Sequence, residues 1–326
     1  MISHGILKIL NSQWQQISKL KTRNRFPQYL REKVQSGLAL AWTFKAPLLQ
    51  KTSPAQLVSS TLYRVLGSLV QQYTYVDFCA GAGGPTPIIE QELNKQLQSC
   101  SDGNPANSVE VNGGARTGAV KFVLTDLHPH IKDWTEAAKN SPNLSFVSKS
   151  VDAANAPSDL IENDGKKVFR LFNLAFHHFD DKLGMDILRN TLETADGFGY
   201  VFPSCAKYLH YIENLTMDIA RIFELQERTI SSMITITAMG LLMFAISPFY
   251  FWRSPGHLFF TYIIPIIPFV LVFDGYISSL RTRTSDEIQA LMKECGASTD
   301  GWTVKSGSAV HTWPTGYMSY VIGIKE

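Results

Sequence analysis

Formal charge is scarce in this sequence. Asp, Glu, Lys and Arg make up 18% of its 326 residues, below the roughly 25% of an average soluble domain. The two signs nearly cancel, 30 Lys and Arg against 28 Asp and Glu, so bulk charge offers no footprint for a nucleic acid. Cysteine is scarce as well. Cys79, Cys100, Cys205 and Cys295 stand far apart with no C-x-x-C pair. That spacing speaks against zinc and dithiol motifs and fits a reducing compartment. Met1–Leu10 holds a short apolar run with no small-residue cleavage site, so no secretory signal is expected. The mean hydropathy of −0.03 excludes a polytopic transporter, and the sequence has no internal repeat.

The charge deficit is concentrated in one place. From Thr229 to Phe273 the only formal charge is Arg253. Met233–Trp252 is a run of 20 uncharged residues, and Leu258–Phe273 a run of 16. Twenty helical residues rise about 30 Å, close to the hydrocarbon thickness of a bilayer. The second run is shorter, and Pro265 and Pro268 are expected to kink it. Aromatic residues (Phe249, Tyr250, Phe251, Trp252, Phe259, Phe260, Tyr262) crowd the turn between the runs, as at a headgroup boundary. Arg221, Arg228, Arg281 and Arg283 flank both ends, which suits a cytosolic face. The expectation is a membrane hairpin; the competing reading is a buried helical pair in an oversized core or dimer interface.

Outside that segment the pattern is α/β. Residues 1–70 read as helical, with Ser53-Pro54 as a helix start. From Tyr73 short apolar runs alternate with helical stretches: strands at Tyr73–Cys79, Lys121–Asp126, Leu144–Ser148, Val168–Asn173 and Phe198–Phe202, and helices at Pro85–Gln98, Pro129–Lys139 and Asp181–Ala195. Such alternation predicts βαβ units and a parallel sheet covered on both faces. Residues 99–119, rich in Ser, Asn and Gly, read as a surface insertion. A further helix is expected over Ala206–Arg228, an amphipathic one over Ser285–Cys295, and closing strands over Trp302–His311 and Tyr317–Ile324. Asp274–Thr284 rejoins the core, with two Arg and several hydroxyls; it either faces the substrate pocket or, the favoured reading, simply caps the next helix.

The most informative stretch is Val76-Asp77-Phe78-Cys79-Ala80-Gly81-Ala82-Gly83-Gly84. It follows a strand and opens a helix, where backbone must approach a ligand closely. A dinucleotide enzyme wants G-x-G-x-x-G with a pyrophosphate at the helix N-terminus. Here Thr86 holds the third glycine's place, and Asp77 would repel phosphates. A cofactor with a positive sulfonium and no phosphate fits better.

The stretch resembles motif I of class I S-adenosylmethionine-dependent methyltransferases, D/E-x-G-x-G-x-G, with Cys79 in place of the first glycine and Gly81 and Gly83 retained. Phe122-Val123-Leu124-Thr125-Asp126 ends a strand in an acid, which in that family binds the ribose hydroxyls. Asp152, after the third strand, matches the group that faces the adenine edge. Phe172-Asn173-Leu174-Ala175-Phe176-His177-His178 is similar to motif IV. The resemblance implies a doubly wound Rossmann-like sheet of seven strands, the last antiparallel. It implies S-adenosylmethionine contacts at Asp77, Cys79, Ala80, Gly81, Gly83, Asp126, Leu127, Asp152 and Asn173, and His177 or His178 as a base.

The expected organisation is a helical arm over 1–70, a cofactor-binding core over 71–228, an apolar insertion over 229–273, and the rest of the core over 274–326. The expected activity is methyl transfer to a small, lipophilic or lipid acceptor, with the core on the cytosolic side of a membrane and with no nucleic-acid partner and no metal. Two rivals stand beside it: a membrane-anchored binding protein without catalysis, for which Cys79 speaks, and a nicotinamide oxidoreductase, against which Asp77 and Thr86 speak.

Overall fold

A computed structural model describes residues 27–45, 50–102, 118–161, 165–173, 175–204, 230–312 and 316–326. The helix expected over Ala206–Arg228 and most of the 99–119 insertion lie outside these residues, as do Cys205 and Leu174. The chain forms two compact units, one of residues 1–40 with 233–280 and the other of 41–232 with 281–326.

The larger unit is a seven-stranded sheet. Its strands are β1 (Tyr73–Phe78), β2 (Phe122–Thr125), β3 (Leu144–Phe146), β4 (Lys167–Asn173), β5 (Gly197–Ser204), β6 (Trp302–Thr312) and β7 (Gly316–Lys325), in the spatial order β3-β2-β1-β4-β5-β7-β6. The pairings from β3 through β5 are parallel, whereas β7 runs antiparallel to both β5 and β6. The last strand is therefore antiparallel, as the resemblance implied. Strand order reverses direction between β1 and β4, and ligands bind doubly wound sheets beyond the strand ends at such a switch point.

Alternation along β1 shows why the sheet is buried on both faces. Tyr73 and Tyr75 pack on one side with Phe122 and Phe169. Val76 and Phe78 pack on the other with Phe172 and Phe198. The first side is covered by α2 (Pro54–Leu66), α3 (Thr86–Asp102) and α4 (Ile131–Lys139), through Val58, Leu62, Ile89, Leu93 and Trp134. The second is covered by α5 (Asp181–Thr194) and α9 (Ser285–Glu294), through Ile187, Leu188, Ile288 and Met292. Each fully buried side chain of this kind contributes about 1.5–3 kcal/mol. Ser53 caps α2 with Pro54 in its first turn and completes a capping box with Gln56, as the Ser-Pro pair predicted. α3 runs four residues past its expected end, into the start of the polar insertion.

The smaller unit holds the apolar segment. It contains most of α1 (Gln28–Thr43) and of α6 (Ile230–Tyr250), all of α7 (Pro255–Tyr262) and nearly all of α8 (Ile266–Arg281). The second apolar run is not one kinked helix. α7 and α8 meet at a bend of 68°, because Pro265 has no N–H to continue the ladder and disfavours helix at the residue before it. Pro268 sits in the first turn of α8, where a proline is tolerated. No single helix among the described residues is long and apolar enough to cross a membrane, and the α7–α8 pair passes only as a bent unit. The stretch from Asp274 onward, read as a link back to the core, continues α8 as far as Arg281.

Candidate functional site

The glycine turn leaves the C-terminal end of β1 and leads into α3. Its backbone enters the left-handed region four times, at Cys79 (φ 61°), Gly81 (54°), Gly83 (107°) and Gly84 (49°). Among described residues Cys79 is the sole non-glycine there. That position is where the resemblance wanted a glycine, and the turn keeps the glycine conformation with a side chain attached. A left-handed non-glycine residue costs about 1–2 kcal/mol. Burial, with the charges of Asp126, Asp77 and Asp152, pushes the Cys79 thiol up to about 12, so it is no thiolate nucleophile.

Neighbouring strands hold the turn in place. Ala80 N–H donates to Thr125 O at 3.1 Å and Gly83 N–H to Ala80 O at 2.8 Å. Gly81 N–H donates to Asp126 Oδ2 at 2.9 Å. Trp134 Nε1–H, from α4, donates to Gly81 O at 2.8 Å. The other Asp126 oxygen accepts His128 N–H at 2.8 Å. Asp126 thus stands at the end of β2 with its carboxylate fixed from two sides. Leu127 beside it is half exposed, at 50%, and its carbonyl accepts the Ser150 hydroxyl.

Asp77 lies beneath the turn, 1% exposed. The Thr86 hydroxyl donates to its Oδ2 at 2.5 Å, and Asn173 Nδ2 donates to its Oδ1 at 3.3 Å and to Thr86 Oγ1 at 3.2 Å. Burial raises the Asp77 carboxyl to about 7, against the opposing pull of these two hydrogen bonds, and Asp126 adds to the rise. Asp77 therefore ties β1, the start of α3 and the end of β4 together. Thr86, noted in the sequence only as a missing glycine, is the partner that makes this possible. Asn173 keeps one polar atom unspent: its Oδ1 is buried and has no hydrogen-bond partner among the described residues.

Asp152 is exposed after β3. Its Oδ1 accepts Ala154 N–H at 2.9 Å, and the chain ahead of it is pinned to the site by a hydrogen bond from Val151 N–H to Asp126 O. Asp77, Asp126 and Asp152 all add to the rise of the Cys79 thiol, so three acidic side chains lie near the turn.

The two histidines sit on a short 3₁₀ turn, Phe176–His178, directly after β4. Their rings are 4.0 Å apart, but their settings differ. His177 is 8% exposed and lines a cleft with Phe172, Phe176, Tyr200, Thr282 and Arg283. His178 is exposed. Arg283 holds this turn: its guanidinium donates to Phe176 O at 3.1 Å, to Phe179 O at 2.9 Å and to Asp181 Oδ1 at 2.8 Å, and it lies over the Phe176 ring. Arg281 adds a hydrogen bond to His178 O at 3.2 Å. Of the two readings of 274–284, the cap holds for Thr284, in a capping box on α9 with Glu287, and Thr282 and Arg283 line the cleft with His177. A bidentate-capable Arg a few residues before a cap is a signal the sequence offered without saying what it would hold. Tyr200 was not singled out from sequence. Its hydroxyl is buried at the cleft with no hydrogen-bond partner among the described residues.

No family model matches the chain, and no curated protein matches it. Solved structures similar to it include the carbon methyltransferase CurJ, at 10% identity and a TM-score of 0.43, over 83% of this chain and 54% of that one. A second is an O-methyltransferase family protein from Burkholderia thailandensis, at 10% identity and 0.38, over 92% and 70%. A third is the plantazolicin methyltransferase BpumL in complex with SAH, at 11% and 0.38, over 91% and 100%.

Proposed function

We propose that the chain is an S-adenosylmethionine-dependent methyltransferase acting on a small, lipophilic acceptor at a membrane surface, its sheet-bearing unit on the cytosolic side. The observation that carries this reading is a left-handed turn held by Asp126 at the end of β2, with the segment that bears Asp152 hydrogen-bonded to Asp126 through Val151 and Asp77 buried beneath. A dinucleotide would bring a doubly charged pyrophosphate to this point and be repelled. S-adenosylmethionine brings a sulfonium and an ammonium, both positive, and no phosphate.

The residues fit that cofactor. The turn leaves the backbone at Gly81 open for close approach, since a Cβ there would meet nothing within 4 Å. Asn173 Oδ1, buried and without a partner among the described residues, is an acceptor in want of a donor, which an ammonium N–H supplies. In this reading Asp126, fixed at the end of β2, accepts the ribose hydroxyls. Leu127 offers apolar contact beside it, and Asp152 serves the adenine edge. Cys79, Ala80 and Gly83 shape the turn. Bound there, the cofactor supplies a methyl group activated by a positive sulfur. What remains for the chain is to orient the acceptor and exclude water. Where the acceptor must lose a proton, His177 is the proposed base, because its ring lines the cleft whereas His178 faces out.

Titration calorimetry with S-adenosylmethionine and, separately, NADH tests the cofactor. Binding of the first without the second is expected, and the reverse would remove the proposal.

A further inference from the structure

The unit made of residues 1–40 and 233–280 exposes large apolar side chains while burying polar ones. Its interior holds polar side chains beside apolar ones such as Ile267 and Ile277. Ser247, His257 and Thr261 are each 0% exposed. Neither the Ser247 hydroxyl nor either His257 ring nitrogen has a hydrogen-bond partner among the described residues; the imidazole stacks on Phe251 at 3.6 Å. Its exterior holds large apolar ones: Phe249 at 78% exposure, Ile263 at 69%, Phe269 at 68%, Leu241 at 65%, Trp252 at 64% and Ile234 at 63%. On α6, Ile234, Leu241 and Phe249 recur at helical spacing, so they share one face. Water-exposed proteins seldom present such a contiguous apolar face. In a bilayer the arrangement is the ordinary one, because polar groups turn toward the helix bundle and apolar groups toward lipid.

Helix contacts within the unit point the same way. Gly275 of α8 meets Ile236 of α6, where an added Cβ would come within 2.8 Å. Gly240 of α6 meets Val272 of α8, and Gly256 meets Tyr29 of α1, with no room for a Cβ in either place. The pairs 236 with 275 and 240 with 272 run in opposite order, so α6 and α8 lie antiparallel. Small residues that let helices approach closely are how association is achieved where the hydrophobic effect is absent. At the turn after α6, Arg253 lies over the Trp252 ring at 4.6 Å, a cation and an aromatic of the kind found at headgroup level.

We propose that the outer face of this unit, centred on Ile234, Leu241, Phe249, Ile263 and Phe269, is covered by the acyl chains of a bilayer, with Trp252 and Arg253 at the headgroup boundary. This deepens the membrane part of the proposed function by naming the lipid-facing residues, and it does not depend on methyl transfer.

The test uses the full chain, exchanged from mild detergent into phosphatidylcholine vesicles and floated on a density gradient. The chain should float, also in high salt. Phosphatidylcholine with brominated chains should quench its tryptophan emission, and Trp252→Phe should remove most of that quenching. The combined variant Leu241→Lys, Ile263→Lys and Phe269→Lys should float at least about tenfold less while binding S-adenosylmethionine as the parent does. Leu241→Lys alone should show the same direction if the combined variant does not fold. A chain that stays at the bottom of the gradient as a detergent-free monomer overturns the proposal. So does a detergent-free dimer that Leu241→Lys dissociates, which would assign this face to a second copy. Loss of cofactor binding with flotation intact would count against the methyltransferase reading and leave the lipid face standing.

Discussion

The Thr86 hydroxyl donates to Asp77 Oδ2 at 2.5 Å, across the turn that joins β1 to α3. The bond ties the floor of the turn to the first residue of the helix it opens. With Asn173 as third partner, it makes Asp77 a positioning residue: buried beneath the site, it shapes the cradle and presents Asn173 Oδ1. Asp77→Ala should therefore weaken S-adenosylmethionine binding through a disordered cradle. Thr86→Val, which leaves the carboxyl in place, should weaken it in the same direction but less. Calorimetry on both variants checks this; unchanged affinity in both would detach the triad from the site.

Asp77 also sets a pH dependence. Its folded carboxyl is raised to about 7, above the ordinary range, so the folded chain keeps a proton that the unfolded chain releases near pH 4. Its contribution to stability is fully present in acid and declines as pH rises through that window, by up to about 1.4 kcal/mol per pH unit. Asp77→Asn cannot titrate and should lack this slope. Urea unfolding of both chains from pH 5 to pH 8 gives the difference, and parallel curves would contradict it.

Cys79 holds a glycine conformation with a side chain. Cys79→Gly should stabilise the fold by about 1 kcal/mol, since the left-handed penalty of about 1–2 kcal/mol is relieved and partly offset by greater freedom of the unfolded chain. Cofactor affinity should be retained. With the thiol pushed up to about 12, Cys79 should also react slowly with iodoacetamide at neutral pH, as read by peptide mass spectrometry. Fast labelling would show a thiolate that this environment does not support.

Tyr200 and Arg283 should respond in opposite ways. The Tyr200 hydroxyl is buried without a partner among the described residues, so Tyr200→Phe should be neutral or stabilising, by up to about 1–3 kcal/mol. Arg283 satisfies the carbonyls of Phe176 and Phe179 and pairs with Asp181. Arg283→Ala should cost about 1.5–3 kcal/mol and release the histidine turn. Arg283→Lys should restore little, because an ammonium cannot reproduce the fork. Chemical denaturation measures stability, and amide exchange over residues 175–181 follows the turn.

The sheet was legible because each strand carries its own signal. β1 alternates between two cores, and the strand ends deliver Asp126 and Asn173 where the motifs put them. Less legible were features set by distant partners. Thr86 looked like a departure from a glycine pattern until Asp77 was seen against it. Arg283 looked like part of a cap until it met carbonyls more than 100 residues away. The second apolar run looked like one kinked helix, because composition reports hydrophobicity and not the direction in which the chain leaves Pro265. The low charge fraction pointed to the apolar segment, but which of its faces are polar emerged only from packing.

The most direct test of the account follows the methyl group itself. The full chain is incubated with membrane and small-molecule extracts and S-adenosylmethionine labelled on its methyl, and the products are read by mass spectrometry. The account predicts a labelled product in the lipophilic fraction, formed by the parent chain and lost in Asp126→Ala. Binding of the cofactor with no labelled product from any fraction would contradict it.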